Sequence, residues 1–140
     1  MVAAQDSISL AGALALMVPT SVVLAAAGVG LIVLARRTAD GRIGPNNWAG
    51  IRTRATRASP AAWRAAHVAA RTRSEQAGWV AIATAILGIP IALAVDADDG
   101  ERAIGAWGIV VTLGAMLLTG LILLAARSAQ AAARDISQAA

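Results

Sequence analysis

Few side chains in this sequence could carry out acid–base, nucleophilic or metal chemistry. There is no cysteine, and His67 is the one histidine, so thiol catalysis and the usual Cys/His metal sites lack their ligands. Between residues 36 and 77 the acidic residues are Asp40 and Glu75, too few to complete a metal site around that imidazole. We therefore predict a hydrogen-bonded structural histidine, no metal or cofactor, and a protein that is not an enzyme.

The composition indicates that these residues are positioned by membrane-spanning helices. The chain has 140 residues, of which 58% are hydrophobic and 14% charged, whereas soluble domains carry about 25% charged residues. Three stretches, 8–35, 78–95 and 103–126, are apolar on all sides over about the 18 residues that a span requires. We predict an all-α integral membrane protein, a single domain over 1–140 with three transmembrane helices. None of the spans contains an ionisable residue, which argues against a coupled transporter.

The distribution of arginine predicts the orientation. Nine of the twelve basic residues lie between Arg36 and Arg73, two follow the third span, and only Arg102 lies in the acidic connection 96–102. By the positive-inside rule the loop 36–77 and the C-terminus are cytoplasmic, while the N-terminus and the acidic hairpin are outside. The expected location is the bacterial inner membrane.

Small residues recur along the spans at helical spacing. The second span carries Ala77, Ala81, Ala85, Gly88 and Ala92, a pattern that lets helix backbones approach closely. Ala26 with Gly30, and Gly108 with Thr112, could act in the same way. The pattern fits packing within the chain, contacts between chains, or chance in an alanine-rich sequence.

The loop between the first two spans has the composition of a structured segment. Ser59-Pro60 is typical of a helix start, with a serine cap and proline at the first position. After it, Trp63, Ala66, His67 and Ala70 share one face that arginines border. This pattern predicts an additional amphipathic cytoplasmic helix at the membrane surface, either separate from the second span or continuous with it.

The loop arginines indicate a bilayer with anionic headgroups as the first partner. No nucleic-acid-binding module is recognisable, so we predict no nucleic-acid partner. Arg52 differs from the others because it lies between Ile51 and Thr53, where a guanidinium needs a partner. We expect it to bind carbonyls at helix ends or a lipid phosphate.

The loop resembles the signature of the bacterial SdpI-like family. In that family an asparagine, three residues and a Gly-Ile-Arg-Thr-like run precede a tryptophan and a histidine four residues apart, between two spans. The similarity extends from Gly44 to Pro90. The matching residues are Asn46, Gly50, Ile51, Arg52, Thr53, Thr56, Ser59, Trp63 and His67.

The resemblance implies a function that is not enzymatic. The best-understood relatives are immunity proteins that protect the producing cell from a secreted, membrane-active peptide toxin and also sequester a cytoplasmic repressor at the membrane. A peptide toxin and a cytoplasmic regulator are thus the implied partners. The alternative is a small accessory or assembly subunit of a larger membrane complex. On either interpretation the candidate functional residues are Asn46, Gly50, Arg52, Thr53, Trp63 and His67.

Overall fold

The computed structural model describes residues 8–138, and this part of the chain folds into three long helices without strands. They are α1 (Leu10–Ala39), α2 (Pro60–Val95) and α3 (Gly100–Gln138). Each is long and apolar enough to cross a membrane, which agrees with the predicted all-α class and its three spans. With 30, 36 and 39 residues, the helices measure about 45 to 58 Å at 1.5 Å per residue. They therefore extend beyond a hydrocarbon core of about 30 Å.

The helix starts are set by local capping. Ser59 is the N-cap of α2, and its hydroxyl accepts a hydrogen bond from the Ala62 amide at 3.1 Å. Pro60 occupies the first helical position, so the predicted start of this helix is confirmed. At α3 the Asp99 carboxylate accepts from the amides of Glu101 and Arg102 at 2.9 and 3.2 Å. Both caps satisfy amides that have no partner within the helix.

The structure does not show a separate amphipathic helix before the second span. Residues 60–76 are the first half of α2, which continues without interruption to Val95. The face predicted to contact the membrane surface is buried in the protein: Trp63 is 2% exposed and His67 4%. The physical reason is that the residues between α1 and α2 cover Trp63 and His67, while alanines at the end of α3 pack against Ala66 and Ala70 on the same face. The buried alanines are Ala62, Ala66 and Ala70 of α2 with Ala125, Ala129 and Ala133 of α3.

Helix α2 is the centre of the bundle, and α1 and α3 pack mainly against it rather than against each other. At its crossing with α1 the backbones approach closely, because a Cβ on Gly78 would lie 2.7 Å from the Gly28 carbonyl oxygen. A Cβ on Gly114 of α3 would clash with the Thr84 side chain of α2. The glycines at these crossings have no Cβ, and this allows α1 and α3 to approach α2 closely.

The small residues of the second span pack within the chain. Ala77, Ala81, Ala85, Gly88 and Ala92 are all buried in α2, in agreement with the first of the three interpretations. The pairs proposed on the other two helices do not serve this purpose. Added Cβ atoms on Gly30 and Gly108 would meet nothing within 4 Å, and the contact on α1 is made by Gly28 instead.

Large apolar side chains face outward along all three helices. In the most apolar stretch of α3 only 6% of the residues are buried within the chain, and Leu113 and Met116 are 61% and 68% exposed. Such a surface is unfavourable in water and typical of contact with lipid chains.

Candidate functional site

The connection between α1 and α2, residues 40–59, folds back onto the first two turns of α2. The Trp63 indole Nε1 donates to the Ile43 carbonyl at 2.9 Å. One turn later, His67 Nε2 accepts from the Ile51 amide at 3.0 Å. The two rings are 4.2 Å apart between centroids. Two side chains of α2 thus hold two backbone positions of the loop, and the structure brings Trp63 and His67 together as their spacing predicted.

His67 uses both ring nitrogens. Nδ1 lies 2.8 Å from the Trp63 carbonyl oxygen, which can only accept, so the ring proton is on Nδ1 and Nε2 is the acceptor for Ile51. Burial lowers the pKa of His67, and the bond to the Trp63 carbonyl opposes that shift only in part. The histidine is a neutral hydrogen-bonding group whose lone pair is already engaged by an amide.

Gly50 lies directly against this histidine. Its φ is +88°, a conformation that residues with a Cβ rarely adopt. A Cβ built at this position would be 2.5 Å from His67 Nε2 and 3.3 Å from the Trp63 ring. Both the backbone conformation and the space thus require glycine at position 50.

Asn46 organises the loop just before this contact. Its Oδ1 accepts from the amides of Trp48 and Ala49 at 2.9 and 2.7 Å, and its Nδ2 donates to the Gly44 carbonyl at 2.8 Å. The Asn46 side chain thus bonds to backbone groups before and after it in the sequence. These bonds take the place of the backbone–backbone hydrogen bonds of a helix or strand. Asn46 therefore has a positioning role in the loop.

Thr53 and Thr56 form the other side of the loop. The Thr53 amide donates to Thr56 Oγ1 at 2.9 Å, and the Thr56 amide donates to Thr53 Oγ1 at 3.2 Å. The Thr56 hydroxyl also donates to the Ile51 carbonyl at 2.7 Å. Thr56 is fully buried and was missing from the predicted site residues, although its three-residue distance from Thr53 could have pointed to a reciprocal pair.

Arg52 binds a backbone carbonyl, but one within the loop; the expected alternative of a lipid phosphate stays a prediction. Its side chain is exposed, and its Nη1 donates to the carbonyl of Asn47 within the loop, not to a helix end. Arg57 donates to the Asn47 side chain at 3.2 Å. The sequence neighbours of Arg52, Ile51 and Thr53, are half-buried, whereas Arg52 is exposed.

Four charged residues connect α1 to α2 next to the loop. Glu75 Oε1 accepts from Arg71 Nε at 2.9 Å and from Arg36 Nε at 3.2 Å, and Arg71 Nη1 is 3.2 Å from Asp40 Oδ1. The bond from Arg71, with a smaller contribution from Arg36, lowers the pKa of the Glu75 carboxyl. The four-residue spacing of Arg71 and Glu75 was a readable signal for one of these pairs. The pairing with Arg36 and Asp40, at the end of α1, could be recognised only from the folded structure.

The comparisons with known proteins agree with this architecture. Three long apolar helices with large outward-facing apolar side chains define a multi-pass α-helical membrane protein. The family model described as the SdpI/YfhL protein family matches residues 42–126, which is more than half of the chain and includes nearly all of the loop, all of α2 and most of α3. The chain therefore belongs to the SdpI/YfhL protein family. No curated protein and no solved structure matches it.

Proposed function

We propose that this protein is a non-enzymatic immunity or signalling protein of the bacterial inner membrane. In this role it protects its own cell from a membrane-active peptide toxin. The observation that supports the proposal best is the contact of the loop with Trp63 and His67, because the residues that form it lie in the stretch matched by the family. In the loop, the backbone conformation at Gly50 favours glycine, and the side chains of Asn46 and Thr56 bind backbone amides.

In the proposed topology the loop and the C-terminus face the cytoplasm, and the N-terminus and the hairpin 96–99 face outward. The arginines of the loop then lie against anionic headgroups, where each contributes about 1 kcal/mol of attraction. A peptide toxin arriving from outside would meet the hairpin and the outward-facing helix surfaces. A change at that end would reach the loop through α2, since α2 continues from Pro60 to Val95. A cytoplasmic regulator would bind on the loop side.

Expression in a bacterial strain sensitive to a secreted peptide toxin tests this proposal. We expect the wild-type protein to raise the toxin concentration needed to kill, and Gly50→Val to abolish this protection because the substituted side chain would displace His67. The matched control is Gly44→Val, in the same loop, where an added Cβ would meet nothing within 4 Å. Both variants must reach the membrane at wild-type levels, as measured by immunoblot.

Unchanged toxin sensitivity on expression of the wild-type protein would contradict an immunity function. If the protein then co-purified in mild detergent with a stoichiometric membrane complex, it would be an accessory or assembly subunit instead. Loss of protection in both glycine variants would contradict the specific role of the contact between Gly50 and His67.

A further inference from the structure

A cavity of about 180 Å³ lies where the three helices meet the loop. Its apolar walls come from Leu31 and Leu34 of α1 and from Ile122 of α3, and the loop contributes Gly50 and Ile51. An apolar cavity of about 150 Å³ in another protein takes up benzene. This cavity therefore has room for a segment of hydrocarbon chain.

The position of the cavity along the helices places it at the edge of the hydrocarbon region. Its lining residues in α1 lie between Leu31 and Thr38, and those in α3 lie between Ile122 and Ala125. Both stretches are at the ends of the apolar runs 8–35 and 103–126, next to the arginine-rich side. α1 and α3 make few contacts with each other along their whole length, and the cavity lies between them.

One polar group in the cavity has no partner. Ser74 of α2 is 8% exposed and lines the cavity, and its hydroxyl makes no hydrogen bond within residues 8–138. By contrast, Thr38 donates to the carbonyls of Leu34 and Ala35, and His67 uses both nitrogens. A hydroxyl at the wall of an apolar cavity lacks the hydrogen bonds that bulk water would supply. An acceptor on a bound molecule would satisfy it.

The charges at this level favour an anion. Arg71 lines the cavity while its side chain remains 42% exposed. Glu75 and Asp40 bind its Nε and Nη1, which leaves Nη2 as the part of the guanidinium that can bind a further acceptor. Near the same boundary the cationic residues outnumber the acidic Asp40 and Glu75; they are Arg36, Arg37, Arg71, Arg73 and Arg127.

We propose that this cavity binds an anionic phospholipid. One acyl chain occupies the apolar part between α1 and α3, an ester carbonyl accepts a hydrogen bond from the Ser74 hydroxyl, and the phosphate lies at Arg71. The chain, the carbonyl and the phosphate of a phospholipid follow one another in the same order as the apolar, hydroxyl and guanidinium parts of the site. The bound lipid would join α1, α2 and α3 next to the loop.

Native mass spectrometry of the full-length protein in mild detergent tests this site. The probe is an equal mixture of phosphatidylglycerol and phosphatidylcholine with identical acyl chains. We expect phosphatidylglycerol adducts to exceed phosphatidylcholine adducts about fivefold, the effect of one arginine on an anionic headgroup. Ser74→Leu, which fills the cavity and removes the hydroxyl, should abolish the preference, whereas Ala26→Leu on the exposed face of α1 should retain it.

A second variant keeps the test decisive if Ser74→Leu does not fold. Ser74→Ala removes only the hydroxyl and should lower phosphatidylglycerol binding about fivefold, the effect of one hydrogen bond. Equal adducts of the two lipids on the wild-type protein would overturn the proposal, as would equal phosphatidylglycerol binding by Ser74→Ala and Ala26→Leu. The readout is bound lipid, so it does not depend on whether the protein protects against a toxin.

Discussion

The amide of Ile51 donates a hydrogen bond to His67 Nε2 at 3.0 Å, so a loop residue is held by a helix residue sixteen positions later. The other ring nitrogen is bound to the carbonyl of Trp63. The two bonds together require an uncharged imidazole with its proton on Nδ1, because a protonated ring could not accept from an amide. One of the two attachments of the loop to α2, the one at Ile51, thus depends on the protonation state of a single side chain.

Replacing His67 by alanine should release the loop from α2 at Ile51, while the bond from Trp63 to Ile43 remains. The Ile51 amide would lose its acceptor, and a buried amide left without one is unfavourable by about 1–3 kcal/mol. We expect a lower melting temperature in detergent and faster hydrogen exchange at the Ile51 amide. Val68→Ala is the control, since Val68 is adjacent on α2 and 57% exposed. Unchanged exchange at Ile51 in His67→Ala would contradict the assigned bond.

Acidification should weaken the same contact. Because burial lowers the pKa of His67 below its usual 6.5, the unfolded chain takes up the proton first. The contribution of the neutral ring to stability is therefore complete above about pH 6.5 and decreases as the pH falls toward the pKa of the folded protein. The pKa values of Glu75 and Asp96 are lowered too, so these carboxyls lose their contribution only at more acidic pH.

The measurement is the melting temperature in detergent between pH 8 and pH 5, about three pH units that include the titration of histidine. The wild-type protein should become less stable below about pH 6.5, whereas His67→Gln, which has no ionisable group at this position, should show a flat profile in that interval. A parallel decrease in both proteins would assign the pH dependence to other groups.

The sequence was sufficient to predict the spans and one helix start, because both depend on local information. A run of apolar residues identifies a span, and a serine hydroxyl next to proline identifies a cap at Ser59. The burial of Trp63 and His67 could not be predicted in this way. It depends on how residues 40–59 fold back onto α2, with backbone groups of Ile43 and Ile51 bonded to the two rings. The rest of the face packs against Ala129 and Ala133, which lie beyond the last apolar run.

The difference between local signals and contacts between distant residues also applies to the candidate site. Asn46, Gly50, Trp63 and His67 were singled out by their spacing, and each makes a specific bond or contact; their functional role stays a prediction. The pairing of Arg36 with Glu75 joins residues 39 positions apart, and no periodicity reports such a distance. Arg52 binds the Asn47 carbonyl within the loop rather than a helix end, and its binding to a lipid phosphate stays a prediction.

The crossing of α1 and α2 should be sensitive to one added methyl group. A Cβ on Gly78 would lie 2.5 Å from Ile32 Cγ1, and overpacking of this kind is unfavourable by about 1–3 kcal/mol. In Gly108→Ala an added Cβ meets nothing within 4 Å, so only the gain of about 1 kcal/mol in helix propensity remains. We expect Gly78→Ala to melt at a lower temperature and Gly108→Ala at an equal or higher one. Equal shifts would mean that the helices do not cross at Gly78.

The orientation can be tested directly because the chain has no cysteine. Single cysteines at Ala58 in the loop and at Asp98 in the hairpin replace exposed residues on opposite sides of the bundle. The arginines near Ala58 favour the cytoplasmic side, and the acidic hairpin carries only Arg102. In intact cells a membrane-impermeant maleimide should label Asp98→Cys and should label Ala58→Cys only after permeabilisation. The reverse pattern would invert the topology and place the loop, with His67, on the outer surface, where a secreted toxin would reach it first.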